Sequence, residues 1–208
     1  LGSRFQREFS LRASRSGKHL TLKRATFAGR VDLSDSYFAE PSSFIEVRLD
    51  RDARFSRTHF GAATYFERAR FGGQADFTDA RFGGVASFKE AVWDESATFA
   101  GARFDKRARF WRVHFGGEAN FASVRADGEV SFNEAAFAGL ADFTDFTFAQ
   151  AARFTDATFA QAAFAGSYFR KEADFSGVEA KGLRFGAFFN RSLDLRRAVV
   201  GTLDLRPG

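Results

Sequence analysis

The stretch ARFGGQADFTDARFGGVASF, residues 69–88, places Ala-x-Phe four times in twenty residues, at offsets of six, five and six. Nothing else in the chain constrains its fold so tightly. Stepping alternately by six and five from Phe27 reaches Phe159, and mostly by fives thereafter reaches Phe185. Of the 30 positions visited, 25 are Phe, and only five of the 30 Phe in the chain lie elsewhere. A phase held over so many steps is an internal repeat.

Two residues before most of these Phe stands a small residue, as at Ala69, Ala75, Ala80 and Ala86. The residue between is polar, as at Arg70, Asp76, Arg81 and Ser87. An apolar-polar-apolar triplet is strand periodicity, with both apolar side chains on one face. Turn-formers follow: Gly72-Gly73, Thr78-Asp79, Gly83-Gly84. A period of 3.6 cannot hold a stripe at five and six, so a helical reading fails. One strand of this length cannot bury its own face, and many in series must wind into a solenoid. The expected class is all-β, with coils stacked at the sheet spacing of about 4.8 Å.

ADFTD at 75–79, ANFAS at 119–123, ADFTD at 141–145 and ADFSG at 173–177 resemble the pentapeptide-repeat family, whose consensus is A-(D/N)-(L/F)-x-x. The resemblance covers nearly the whole chain. It implies a right-handed quadrilateral β-helix of about nine coils, in a single domain over 1–208. Residues 1–26 form less regular coils, 27–185 the regular repeats, and 186–208 the last coil and end. The sixth residue on every second side is a departure from the family's spacing of five. A full coil then takes two sixes and two fives, with an extra corner residue at places such as Arg30, Pro41, Gln74 and Glu118, expected as bulged corners. A differently shaped coil is the alternative. After 159 the coils should approach the plain form.

Composition narrows the function classes. The chain has 208 residues, no Cys and no Met, and a net charge of +5. Without Cys there is neither a disulfide framework nor thiolate chemistry. No apolar run reaches the roughly 18 residues of a membrane span, and the start LGSRFQREFS has no apolar signal core. The expectation is a soluble, cytoplasmic chain. The absence of Met at position 1 suggests a piece of a longer protein.

Two exceptions in the Phe column read as structural. Ala126 stands where Phe is expected, and one coil later Phe146 stands in an Ala slot. With two sixes and two fives to a coil, 126 stacks on 148 and 124 on 146, so Phe146 fills the volume that Ala126 leaves. Trp93 occupies a Phe slot and is core. Trp111 follows Phe110 at a corner and faces outward, a candidate contact point.

Residues one coil apart share an outer face. One face then displays Tyr37, His59, Arg81, Arg103, Arg125, Thr147 and Tyr168. Three arginines in a column repel unless a counter-charge relieves them. Either an anionic partner does so, such as phosphate or an acidic protein face, or Asp105 and Asp127 do, two residues along the same corners. The next face, Asp32, Arg54, Asp76, Thr98, Asn120 and Asp142, mixes its charges. In the family such Asp or Asn residues brace the coil.

Catalysis finds no support. His19, His59 and His114 are scattered through the repeat, and no metal-ligand spacing, P-loop or dinucleotide glycine pattern occurs. No cofactor is implied. The leading expectation is a rigid, non-catalytic interaction or scaffold rod. Some family members resemble DNA in shape and negative charge and bind type II topoisomerases, which a +5 chain matches poorly. Binding of nucleic acid or an anionic surface along the Arg face is a third class. The C-terminal stretch LDLRRAVVGTLDLRPG has apolar coils and no capping helix. It suggests end-to-end homodimerisation through Val200, Leu203 and Leu205.

Overall fold

The computed structural model describes residues 3–206, and among them there are strands, turns and bends but no helix. The opening stretch supplies one coil: strands Arg70–Phe71, Ala75–Asp76, Arg81–Phe82 and Ala86–Ser87. These four define the first to fourth faces. Each pairs in parallel with its equivalent one coil away, so Arg70 lies beside Arg48 and Val92, and Ala75 beside Ala53 and Ala97. The third and fourth faces are nine-stranded sheets. The first and second join near the C-terminus into one 16-stranded sheet. The chain is a β-solenoid of about nine turns.

Inside, the aromatic rings stack along the axis and meet edge to face across it. Phe55, Phe77, Phe99 and Phe121 stack at 4.7, 4.6 and 4.9 Å with planes within 4°. Phe88 meets Phe99 at 5.4 Å and 88°. Both are preferred arrangements of ring quadrupoles, worth about 0.5–1.5 kcal/mol per pair beyond area burial. Four rings per coil fill the interior, and this is why the accompanying slot must be small. Ala75, Ala80, Ala86 and Ala91 are all buried.

The two corner types differ. At a five-residue corner the chain makes a hydrogen-bonded turn: Ala80 N–H donates to the Phe77 carbonyl at 3.0 Å, and Asp79 has φ 56°. A positive φ at the third turn residue is the type II signature. It recurs with φ of 54–60° at non-glycine residues such as Arg24, Glu46, Arg68 and Ser123. At a six-residue corner the extra residue makes an open bend without positive φ. It does not interrupt the pairing as a β-bulge, because equivalent coils carry it together and stay in register. A bulge occurs only where the coil shortens. Phe137 pairs with Phe159 at a separation of 22, but Leu140 pairs with Gln161 at 21, and the register shifts between. By Glu179 and Val199 the separation is 20, the plain form expected from the spacing.

Where the coil shortens, the first two faces flatten into longer strands, Ala136–Asp142, Thr158–Ala163, Glu179–Arg184 and Val199–Asp204. Among the described residues the last of these pairs with one strand, Glu179–Arg184.

Candidate interaction surface

The filled interior leaves only surfaces for function, and the third face carries the column expected from the spacing. Parallel pairing places His59 between Tyr37 and Arg81, then Arg81 beside Arg103 and Arg103 beside Arg125. The two aspartates from the next corner interleave with the arginines. Asp105 bridges Arg81 at 2.9 Å and Arg103 at 2.6 Å; Asp127 bridges Arg103 at 2.8 Å and Arg125 at 3.0 Å. Partial burial works to raise the Asp105 carboxyl, but hydrogen bonds from Arg103 and Arg81 outweigh it and hold the group below the ordinary value. Those on Arg103 raise its guanidinium in turn, Asp105 most of all. The ladder is therefore internally paired, three cations against two anions, and presents little free charge.

His59 packs edge-on against Tyr37, with ring centroids 4.9 Å apart. Burial lowers its pKa, and the Arg81 cation lowers it further, against a smaller pull from Asp105. The imidazole is held neutral between an aromatic ring and a guanidinium. It has no metal-ligand neighbour: no group of three His, Cys, Asp or Glu residues suited to a metal occurs among the described residues.

Trp111 lies at the turn between the fourth and first faces and is 37% exposed. Its Nε1 donates to Glu134 Oε1 at 3.0 Å, while Lys89 and Arg112 lie 4.7 and 4.8 Å from the ring. Arg112 is itself tied to Glu134 at 2.8 Å. The indole is braced rather than loose, as a protein contact point requires.

That turn belongs to a column that strand-centred sequence reading missed. The left-handed residues at this corner run Arg24, Glu46, Arg68, Glu90, Arg112 and Glu134, alternating in charge coil by coil, and the alternation ends at Asp156, Gly177 and Arg197. Glu46 bridges Arg24 at 2.8 Å and Arg68 at 2.7 Å. Stepping one coil at a time through the corners, as well as the strands, exposes the alternation.

On the second face the carboxyls brace the coil. Asp76 accepts the Thr78 N–H at 2.9 Å, Asn120 that of Ala122 at 2.8 Å, and Asp142 that of Thr144 at 2.9 Å. These Asx turns fix the corner that follows.

At the C-terminal end, Leu203 lies beside Leu183 and continues its column beyond the last covering coil. Leu203 is 44% and Leu205 61% exposed. Val200 is half-buried against the core, whereas Val199 and Phe188 stand out at 67% and 58%. Phe188 and Val199 stack beside Tyr168 and Glu179, in outward slots of the third and first faces, so they belong to the sides of the rod and not to its end. Among the described residues no helix is long and apolar enough to cross a membrane.

The model for pentapeptide repeats, of nine copies, matches residues 22–70, 66–114 and 110–158. Comparison with curated proteins gives no match. Among solved structures, trypsin-treated QnrB1, a plasmid-mediated fluoroquinolone resistance protein, is 16% identical. The alignment covers 96% of this chain and 92% of that one, with a TM-score of 0.33.

Proposed function

The chain belongs to the pentapeptide-repeat family, and from that premise we propose that it is a rigid, non-catalytic interaction rod that docks protein, first of all a second copy of itself. The observation that carries this reading is the open C-terminal end. Leu203 and Leu205 are exposed on the last coil, while the equivalent inward positions one coil earlier, Leu183 and Phe185, are buried. An uncovered solenoid end presents both apolar side chains and unpaired backbone groups, a template for another chain. A packed interior without a deep cleft supports the non-catalytic part, since enzymes ordinarily work in concave pockets.

Tyr37, His59, Arg81, Arg103, Arg125 and Trp111 form the lateral candidate face. The pairing of the three arginines to Asp105 and Asp127 favours a solvated ladder over a phosphate grip. A salt series with a short DNA duplex tests this. The expected result is no duplex binding even at low salt. Binding that weakens steeply with salt would make the ladder a nucleic-acid surface instead.

A further inference from the structure

Charge is segregated around the rod. On four successive coils the second face and its bordering corners, at 72–79, 94–101, 116–123 and 138–145, hold seven carboxylates and no Lys or Arg, whereas 50–57 on the coil before holds Arg51, Arg54 and Arg57. Asp94 pairs with Arg70 at 2.9 Å. Asp76, Asp79, Glu95, Glu118, Asp142 and Asp145 have no ion-pair partner among the described residues. Elsewhere the chain sets arginines beside its acids, as along the two ladders described above; here it sets Gly, Ala, Ser, Thr, Asn and Gln. On one of these coils the diagonally opposite edge, between the third and fourth faces, has the other sign. Residues 103–109 hold Arg103, Lys106, Arg107 and Arg109 against Asp105 alone. Lys106 and Arg109 are exposed and without an ion-pair partner among the described residues.

Shape follows charge. Lys106-Arg107 stands as a ridge between glycine corners of the adjoining coils, Gly84 and Gly128, the latter packed against the Lys106 backbone. On the acidic edge Gly116-Gly117 forms a notch, with Gly117 packed on the Glu95 and Ser96 backbone and Glu118 beside it. The ridge occurs on one coil, the equivalent corners being Gly84-Val85 and Gly128-Glu129, and Arg107 on it is bridged to Glu129 at 3.6 Å.

We propose that copies of this chain associate side by side, the Lys106-Arg107 ridge of one seating in the Gly116-Gly117 notch of the next, between Glu95 and Glu118. The two surfaces are complementary in sign, and each chain offers one ridge and one notch. The contact is heterologous, so it does not close at a dimer and extends into rows. It is separate from the C-terminal end and differs from it in salt dependence.

The test is light-scattering mass of an L203D/L205D variant, in which the end is blocked, over a concentration series at two salts. At about 0.01 M salt the screening length is ~30 Å, and at about 1 M it is ~3 Å. The expected mass rises past two chains with concentration at low salt and returns to one chain at high salt. E95K/E118K in that background should stay at one chain at low salt, and mixing it with K106E/R107E should restore the rise. All four substituted side chains are exposed, so folding is preserved, as circular dichroism would verify. A single-chain mass at low salt, or growth indifferent to E95K/E118K, overturns the proposal. Loss of end-docking alone would leave these outcomes unchanged.

Discussion

At the residue scale the exchange between Ala126 and Phe146 shows how the core conserves volume. Ala126 is paired with Phe148 on the next coil and is fully buried. Phe146 is buried too, its ring parallel to that of Phe148 at 3.8 Å. Phe146→Ala should therefore cost about 3–5 kcal/mol, as loss of a buried aromatic does. Ala126→Phe alone should cost roughly 1–3 kcal/mol by overpacking. Together they should cost less than the sum, because the new ring enters the space the old one leaves. Urea unfolding of the two single variants and the double variant measures this; strict additivity would separate the sites. This exchange was legible in the sequence because it needed only the length of one coil. The indole of Trp93 was legible as core as well, stacked at 4.4 Å on Phe115. Its Nε1 is buried without a partner, and spacing carries no information about that.

At the scale of the element, the turn matters more than the two-residue strand. A left-handed non-glycine residue costs roughly 1–2 kcal/mol over right-handed backbone, and the solenoid places one at most five-residue corners. The turn hydrogen bond and the ion pairs between stacked corners offset that strain. Gly101 is one of three glycines among the positive-φ residues, with φ 68°, and there a Cβ would collide with the Asp79 carboxylate of the preceding coil. Ser123, one coil further, is exposed at φ 57°. Ser123→Val should lose about 1–2 kcal/mol by backbone strain alone, with Ser123→Gly close to neutral; thermal melts of both would show it.

The third-face ladder adds a pH dependence. The folded Asp105 value lies below 3.8, so its contribution is complete above that pH and is lost as pH falls through the folded value. The folded His59 value lies below 6.5, so its share declines as pH falls from 6.5 toward it. Unfolding midpoints across pH should show both declines, with Asp105→Asn shrinking the lower, to which Asp35, Glu46 and Glu134 also contribute, and His59→Gln removing the upper. The strand columns behind these statements were readable from sequence. The alternating Arg-Glu corner column and the acidic coils of the second face were missed because the strand centres were read without their corners: around Asp76 the corners add Asp79 and no cation, whereas around Arg54 they add Arg51 and Arg57.

At the scale of the whole molecule, a chain of net charge +5 carries four acidic coils on its second face, one basic corner at 103–109 and the exposed Leu203 and Leu205 on its last coil. Net charge argued against a DNA-like acidic rod, yet charge averaged over a rod says little about each side of it. The fold class followed from periodicity because every coil repeats one solution. The proposed interaction surfaces lie where the repeat is broken, at glycine corners and at the last coil. Those breaks are visible in the sequence, but their exposure depends on which coils lie above and below.

The end is the most direct point of attack. Light-scattering mass of the unsubstituted chain should be measured at about 1 M salt, where lateral charge contacts are screened, and repeated on L203D/L205D. An apolar end-docked pair gives twice the chain mass for the first and one chain mass for the second. A single-chain mass for both would contradict docking through Leu203 and Leu205 and leave the rod's partner to be sought on its sides.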